Sequence, residues 1–171
     1  MNVVAPLVRI SVGVIVERCK TNSQWSEFTW HPTAVLGGLP GADPWTRLSG
    51  EEERVIFYAG AAEIELYRTE TENYRDNLVS AAPSVWVALL STAGDPPYKI
   101  AAVTADPAEG EALTEPGQGI VEAVPMPTSV RDTIASFISE HHVERTFEKR
   151  KRNRADPEAL ARRPPTKAAD E

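Results

Sequence analysis

The side chains best suited to chemistry are few and scattered. The three histidines are His31, His141 and His142. A metal site needs two or more such ligands converging with a carboxylate or a third donor. Successive residues on a helix point roughly 100° apart, so His141 and His142 do not share a face. They read instead as the last turn of a helix, where a partly positive imidazole complements the helix dipole. Cys19 is the only cysteine, which excludes an internal disulfide and any iron–sulfur cluster or cysteine-rich zinc site built from this chain alone. Arg18 and Lys20 flank it, and neighbouring positive charge lowers a thiol pKa. No histidine stands near it in the chain to act as base, so the thiol reads as inert. Glu51-Glu52-Glu53 and the pair Glu63 and Glu65 offer carboxylates for acid–base work. In a strand, however, Glu63 and Glu65 share the face opposite Ile64 and Leu66 and are solvated. No catalytic residue, metal ligand or cofactor is assigned, and the chain reads as a binding protein rather than an enzyme.

Recognition has better candidates. Arg68, Glu70, Tyr74 and Asn77 lie at a strand-to-helix junction, a place where folds often put contact groups, and are assigned to a polar contact surface. Four tryptophans are many for a chain this small; most are expected in the core, but Trp25 and Trp45 sit by loops and are assigned as anchors for a protein partner. The densest charge is the basic run Lys149, Arg150, Lys151 and Arg152. Residues 1 to 142 hold 9 Lys and Arg against 19 Asp and Glu, a net of −10, and residues 143 to 171 hold 9 against 6, a net of +3. An acidic body repels phosphate, and the run lacks interleaved aromatics, so a merely solubilising tail is the first reading, docking on an acidic protein the second and nucleic-acid binding the weakest.

The elements that must position these groups follow from the pattern. An apolar fraction of 42% with 25% charged residues is ordinary for a globular chain, so most of it should fold. No apolar run reaches the roughly 18 residues that span a bilayer, and the first residues carry no signal-peptide pattern; a reducing cytoplasm is the expected compartment. Val8 to Arg18 alternates as a half-buried strand. Phe28 to Leu36 suggests an edge or bulged strand because of Pro32. Residues 37 to 44 are a loop, and Arg54 to Ala59 with Ala62 to Thr69 predict a hairpin about Gly60. Glu70 to Leu78 predicts a helix capped by Thr69. Ser84 to Leu90 and Lys99 to Thr104 predict a second strand pair, Asp106-Pro107 a short helix, and Ile120 to Val124 a last strand. A cap within residues 125 to 129 opens a helix over Val130 to His142. The prediction is an α+β fold with a mostly antiparallel sheet of about six or seven strands and two or three helices. Residues 1 to 7 are expected to be flexible, residues 8 to 143 to form one domain, and residues 144 to 171 to be a basic, largely disordered tail.

Several ordered segments also carry a family likeness: Val12-Gly13-Val14-Ile15-Val16-Glu17-Arg18, Trp25, Trp30-His31-Pro32, Pro44-Trp45, residues 68 to 74, Pro83-Ser84-Val85-Trp86-Val87, residues 121 to 127, and His141-His142-Val143 followed by Phe147 and the basic run. Together they span about residues 8 to 154 and resemble a family of uncharacterised proteobacterial proteins that is defined only as a domain of unknown function. That resemblance implies no activity, cofactor or catalytic residue. It does imply genes beside those for molybdenum-dependent formate dehydrogenase, an associational pointer to a process.

Two functional readings remain. The first is a non-catalytic accessory protein in assembly, maturation or regulation of a molybdenum-dependent formate dehydrogenase. It would meet the enzyme or its maturation chaperone through a patch near Trp25, Trp45 and Arg68. The second is a small-molecule carrier or small enzyme with an anion-binding pocket near Arg18, Arg68 and His31. Nucleic-acid binding through the basic tail stands third, and the oligomeric state is open.

Overall fold

A computed structural model describes residues 4–114, 117 and 119–142. In chain order the elements are β1 (Val8–Lys20), β2 (Phe28–Leu36), β3 (Thr46–Glu51), β4 (Arg54–Leu66), a 3-10 turn (Arg68–Glu70), α1 (Thr71–Val79), β5 (Ser84–Ser91), β6 (Tyr98–Thr104), α2 (Pro107–Leu113), β7 (Gly119–Pro125) and α3 (Thr128–His141). The α+β class holds, with the seven strands divided between two antiparallel sheets of order β2-β1-β4-β3 and β6-β5-β7.

The valines of β1 explain why it is central. Val12, Val14 and Val16 are fully buried on one face, and β-branched side chains fit a pleated, covered surface. β1 pairs with β2 on one side and β4 on the other. Its register with β2 slips where Ile15 faces Ala34 but Val16 faces Pro32, so Thr33 is an extra residue. β2 is also an edge strand. Both features accommodate a residue that cannot donate to a ladder.

β4 corrects the predicted hairpin. It runs unbroken for 13 residues, and Gly60 marks a bulge rather than a turn: Val14 faces Gly60 and Ile15 faces Tyr58, leaving Ala59 unpaired. Gly60 has φ +136°, a conformation that a side chain resists. β3 covers only Arg54 to Tyr58 of β4; beyond it, β4 lies beside β6, while β2 lies beside β7. One apolar core therefore fills the space between the sheets, drawing Val14, Ile64 and Leu66 from one and Val85, Val87, Leu89 and Val103 from the other.

The helices close that core. α3 buries Val130, Ile134 and Phe137, and Phe137 meets Tyr74 of α1 edge-on at a centroid distance of 6.2 Å. α2 begins as predicted, with Asp106 accepting from the backbone N–H groups of Ala108 and Glu109. The expected Thr69 cap on α1 is not made. Thr69 Oγ1 donates to Glu70 Oε1, and neither α1 nor α3 has a side-chain cap bond at its start.

Candidate functional site

The groups that resembled catalytic parts are engaged with one another. Cys19 Sγ donates to Glu17 Oε1 at 3.0 Å, and the carboxylate it faces pushes the thiol pKa up, away from the reactive thiolate. The thiol bond and the Arg54 guanidinium, 2.6 Å from Oε2, hold the Glu17 carboxyl below the usual carboxylate range. On that face His31 Nδ1 lies 2.7 Å from Glu122 Oε1; because a carboxylate only accepts, the ring donates, tying β2 to β7. Glu63 and Glu65 face Arg9. His142 Nδ1 is 3.1 Å from Thr71 Oγ1 and its Nε2 is 3.2 Å from Arg75 Nη1, while His141 lies against Phe137. Among the described residues no group of three His, Cys, Asp or Glu is arranged to hold a metal ion.

The residues assigned to a polar contact surface divide, and two of them are corrected. Tyr74 is 2% exposed; its hydroxyl accepts from the Tyr67 N–H and its ring sits in the core. Asn77 is 4% exposed; its amide donates to the Ser84 and Ala105 carbonyls and its oxygen accepts from the Ser84 N–H. Both are buried because α1 turns a polar face, Thr71, Tyr74 and Asn77, toward the fold, so polarity was a misleading guide to exposure. Glu70 is half-buried and accepts from Thr69 and Asn73. Arg68 is exposed. It follows the end of β4, where Leu66 faces Val8, whereas Arg18 faces Val55 at the far end of β1. Ten residues of strand put those ends roughly 30 Å apart. Moreover Arg18 faces Trp30 while His31 faces Glu17, which places Arg18 and His31 on opposite sides of the sheet. The pocket expected from Arg18, Arg68 and His31 does not form, nor does one patch of Trp25, Trp45 and Arg68. Lys149, Arg150, Lys151 and Arg152 lie outside the described residues.

What the fold does gather is a set of rings at the β1–β2 hairpin end of the first sheet. Trp30 stacks on Phe57 with centroids 5.7 Å apart and planes at 24°, meets Trp45 edge-on at 5.9 Å, and touches Tyr98 of β6 at 6.0 Å. Trp30 is buried, while Phe28, Trp45, Phe57 and Tyr98 are half-buried and keep area open to solvent. Trp45 holds φ +65°, the left-handed region that a bulky residue adopts only when its surroundings impose it. Its N–H donates to the Tyr58 carbonyl, and the strained turn lays the indole against Trp30 and Phe57.

Arg18 enters the same cluster from β1. Its guanidinium lies 4.2 Å from the centroid of Phe28, with Phe57 at 5.6 Å and Trp30 at 5.8 Å. Arg18 Nε is buried with no hydrogen-bond partner, a state that costs roughly 1–3 kcal/mol for an ordinary polar group. Beside the cluster, the loop after Lys20 carries Trp25, which is 87% exposed. The sequence pointed to Trp25 and Trp45 but missed Arg18, Phe28, Phe57 and Tyr98 as their company. The available signal was the register: Arg18 opposite Trp30 and Val16 opposite Phe57 follow from pairing β1 with its neighbours.

Fold and geometry define a two-sheet α+β protein with an arginine set into an aromatic surface. The chain belongs to the family described as protein of unknown function (DUF3305), whose model matches residues 11–151. No curated protein and no solved structure matches it. No helix among the described residues is long and apolar enough to cross a membrane.

Proposed function

We propose that this chain is a non-catalytic accessory protein that binds a protein partner through the aromatic surface of Trp45, Phe57, Phe28 and the neighbouring Trp25. The supporting observation is Trp45 held in a strained left-handed turn against Trp30, with the loop that leads into Phe28 carrying a tryptophan almost wholly open to solvent. Interface hot spots favour Trp, Tyr and Arg, and an aromatic left at a surface loses little entropy on binding. The family resemblance directs the search for that partner to a molybdenum-dependent formate dehydrogenase or its maturation chaperone. In this reading the basic tail raises the effective concentration of the surface at the partner.

The test is an affinity pull-down of the tagged full-length chain from cells grown with formate and molybdate, read by mass spectrometry, beside Trp25→Ala, Trp45→Ala and a version ending at His142. The expected outcome is recovery of the enzyme or its chaperone, reduced about tenfold or more by either tryptophan change, as for a hot-spot residue. Recovery unaffected by both changes would remove the aromatic surface from the reading. Recovery of neither protein would overturn the formate dehydrogenase assignment.

A further inference from the structure

Arg18 differs from every other cation in the described residues. Arg9, Lys20, Arg47, Arg54, Arg68, Arg75, Lys99 and Arg131 are all exposed, and Arg18 alone is half-buried. Residues 1 to 142 carry 19 acidic side chains against 9 basic ones. Carboxylates are plentiful enough for exposed Arg9 and Arg54 to be paired. The Arg18 guanidinium nevertheless lies over rings, and its side chain makes no hydrogen bond or ion pair with any described residue. Its Nε is sealed, but its two terminal nitrogens are not among the buried unpartnered atoms and so retain access to solvent. The rings hold the planar guanidinium in place and leave its outer fork free, the geometry that accepts a carboxylate through two parallel N–H donors.

From this we infer that Arg18 is the anchor for a single carboxylate on the partner, carried by a segment whose flanking apolar side chains settle on Phe28, Phe57 and Trp45. The inference rests on the protein-binding reading and narrows it to a chemical class. One cation in an aromatic setting matches one anion with apolar neighbours. A polyanion such as single-stranded nucleic acid would bring successive phosphates over a body of net charge −10. Desolvation by the rings strengthens the ion pair once it forms, because fewer waters screen it.

The test follows the Arg18 Nε–Hε and tryptophan indole N–H resonances of the full chain in 15N-labelled form. The probes are the capped pentapeptide Gly-Phe-Asp-Leu-Gly, its Asn counterpart, and an oligothymidylate. The Asp peptide should shift the Arg18 signal saturably and bind about tenfold more tightly than the Asn peptide. In Arg18→Met, with its indole spectrum and melting curve used to establish folding, that preference should vanish while the indole shifts remain; Arg18→Lys should restore part of it. Equal binding of the two peptides, no shift at Arg18 with either, or a stronger response to oligothymidylate would each overturn the inference. If Trp25→Ala abolishes partner capture and Arg18→Met does not, the anchor fails while the protein-binding surface stands.

Discussion

At residue scale, Glu17 ties together three side chains whose protonation states depend on one another. The Cys19 thiol and then Arg54 lower its pKa, and it in turn raises that of Cys19. A carboxyl depressed in the folded state stabilises the fold at pH values above its ordinary range, and that stabilisation is lost as pH falls through the depressed value. Acid denaturation of Glu17→Gln should therefore be shallower than that of the unmodified chain below about pH 5, as read by urea midpoints at stepped pH. The same substitution removes the negative charge that helps hold the thiol protonated, so Cys19 in Glu17→Gln should react severalfold faster with iodoacetamide at pH 8. Unchanged alkylation would mean that access, rather than the carboxylate, controls the thiol. Tyr74 gives the alkaline counterpart. Burial, opposed by its bond to the Tyr67 N–H, pushes its hydroxyl up to about 12. In the unfolded chain Tyr74 ionises at the ordinary value of 10, so its contribution to stability should be constant below pH 10, fall between 10 and 12, and level off above. Tyr74→Phe should lose about 1 kcal/mol at neutral pH, because the Tyr67 N–H loses its acceptor, and should show a smaller alkaline decline.

The element scale is where close packing decides. α2 lies so near β5 that a Cβ on Gly110 would stand 2.3 Å from Trp86 Cγ and 2.6 Å from two further indole atoms. Alanine is the better helix former by up to about 1 kcal/mol, yet overpacking typically costs 1–3 kcal/mol. Gly110→Ala should be net destabilising by about 1–2 kcal/mol in chemical denaturation, and a gain in stability would show that α2 can lift off the sheet. Asn77→Ala should cost more, about 2–4 kcal/mol, since it leaves the half-buried Ser84 N–H and carbonyl and the buried Ala105 carbonyl without these partners. These two residues also show where the sequence was legible and where it was not. The valine alternation of β1, the Asp106-Pro107 start of α2 and the apolar stripe of α3 are local signals and were read correctly. Gly60 was ambiguous because a glycine inside a strand pattern serves a bulge as well as a turn. β3 escaped because its six residues have no buried member and no alternation, only Leu48 at 50% exposure. Asn77 and Tyr74 misled because the polar face of α1 is satisfied by partners from distant elements. The ring cluster was half legible: Trp25 and Trp45 are conspicuous by type, but Arg18 joins them only through strand register.

At the scale of the molecule, the question is whether two sheets with separate hydrogen-bond ladders make one cooperative unit. The core argues that they do, because side chains from both sheets interdigitate in a single cluster and the His31–Glu122 pair crosses from β2 to β7. Val14 and Val87 are each fully buried, one in each sheet. Truncating either to alanine deletes methyl groups and leaves a small cavity, a change expected to cost on the order of 2 kcal/mol. If burial is shared, Val14→Ala and Val87→Ala should each shift one and the same thermal transition, with equal van't Hoff and calorimetric enthalpies. A version ending at His142, which keeps all the core residues of both sheets named above, should melt in that single transition too. A calorimetric trace that splits in either variant, with Val14→Ala moving one component and Val87→Ala the other, would instead make the sheets separate folding units. Rings that meet across β2 and β6, Trp30 against Tyr98, would then straddle a mobile junction, and the aromatic surface would exist only when both units are docked.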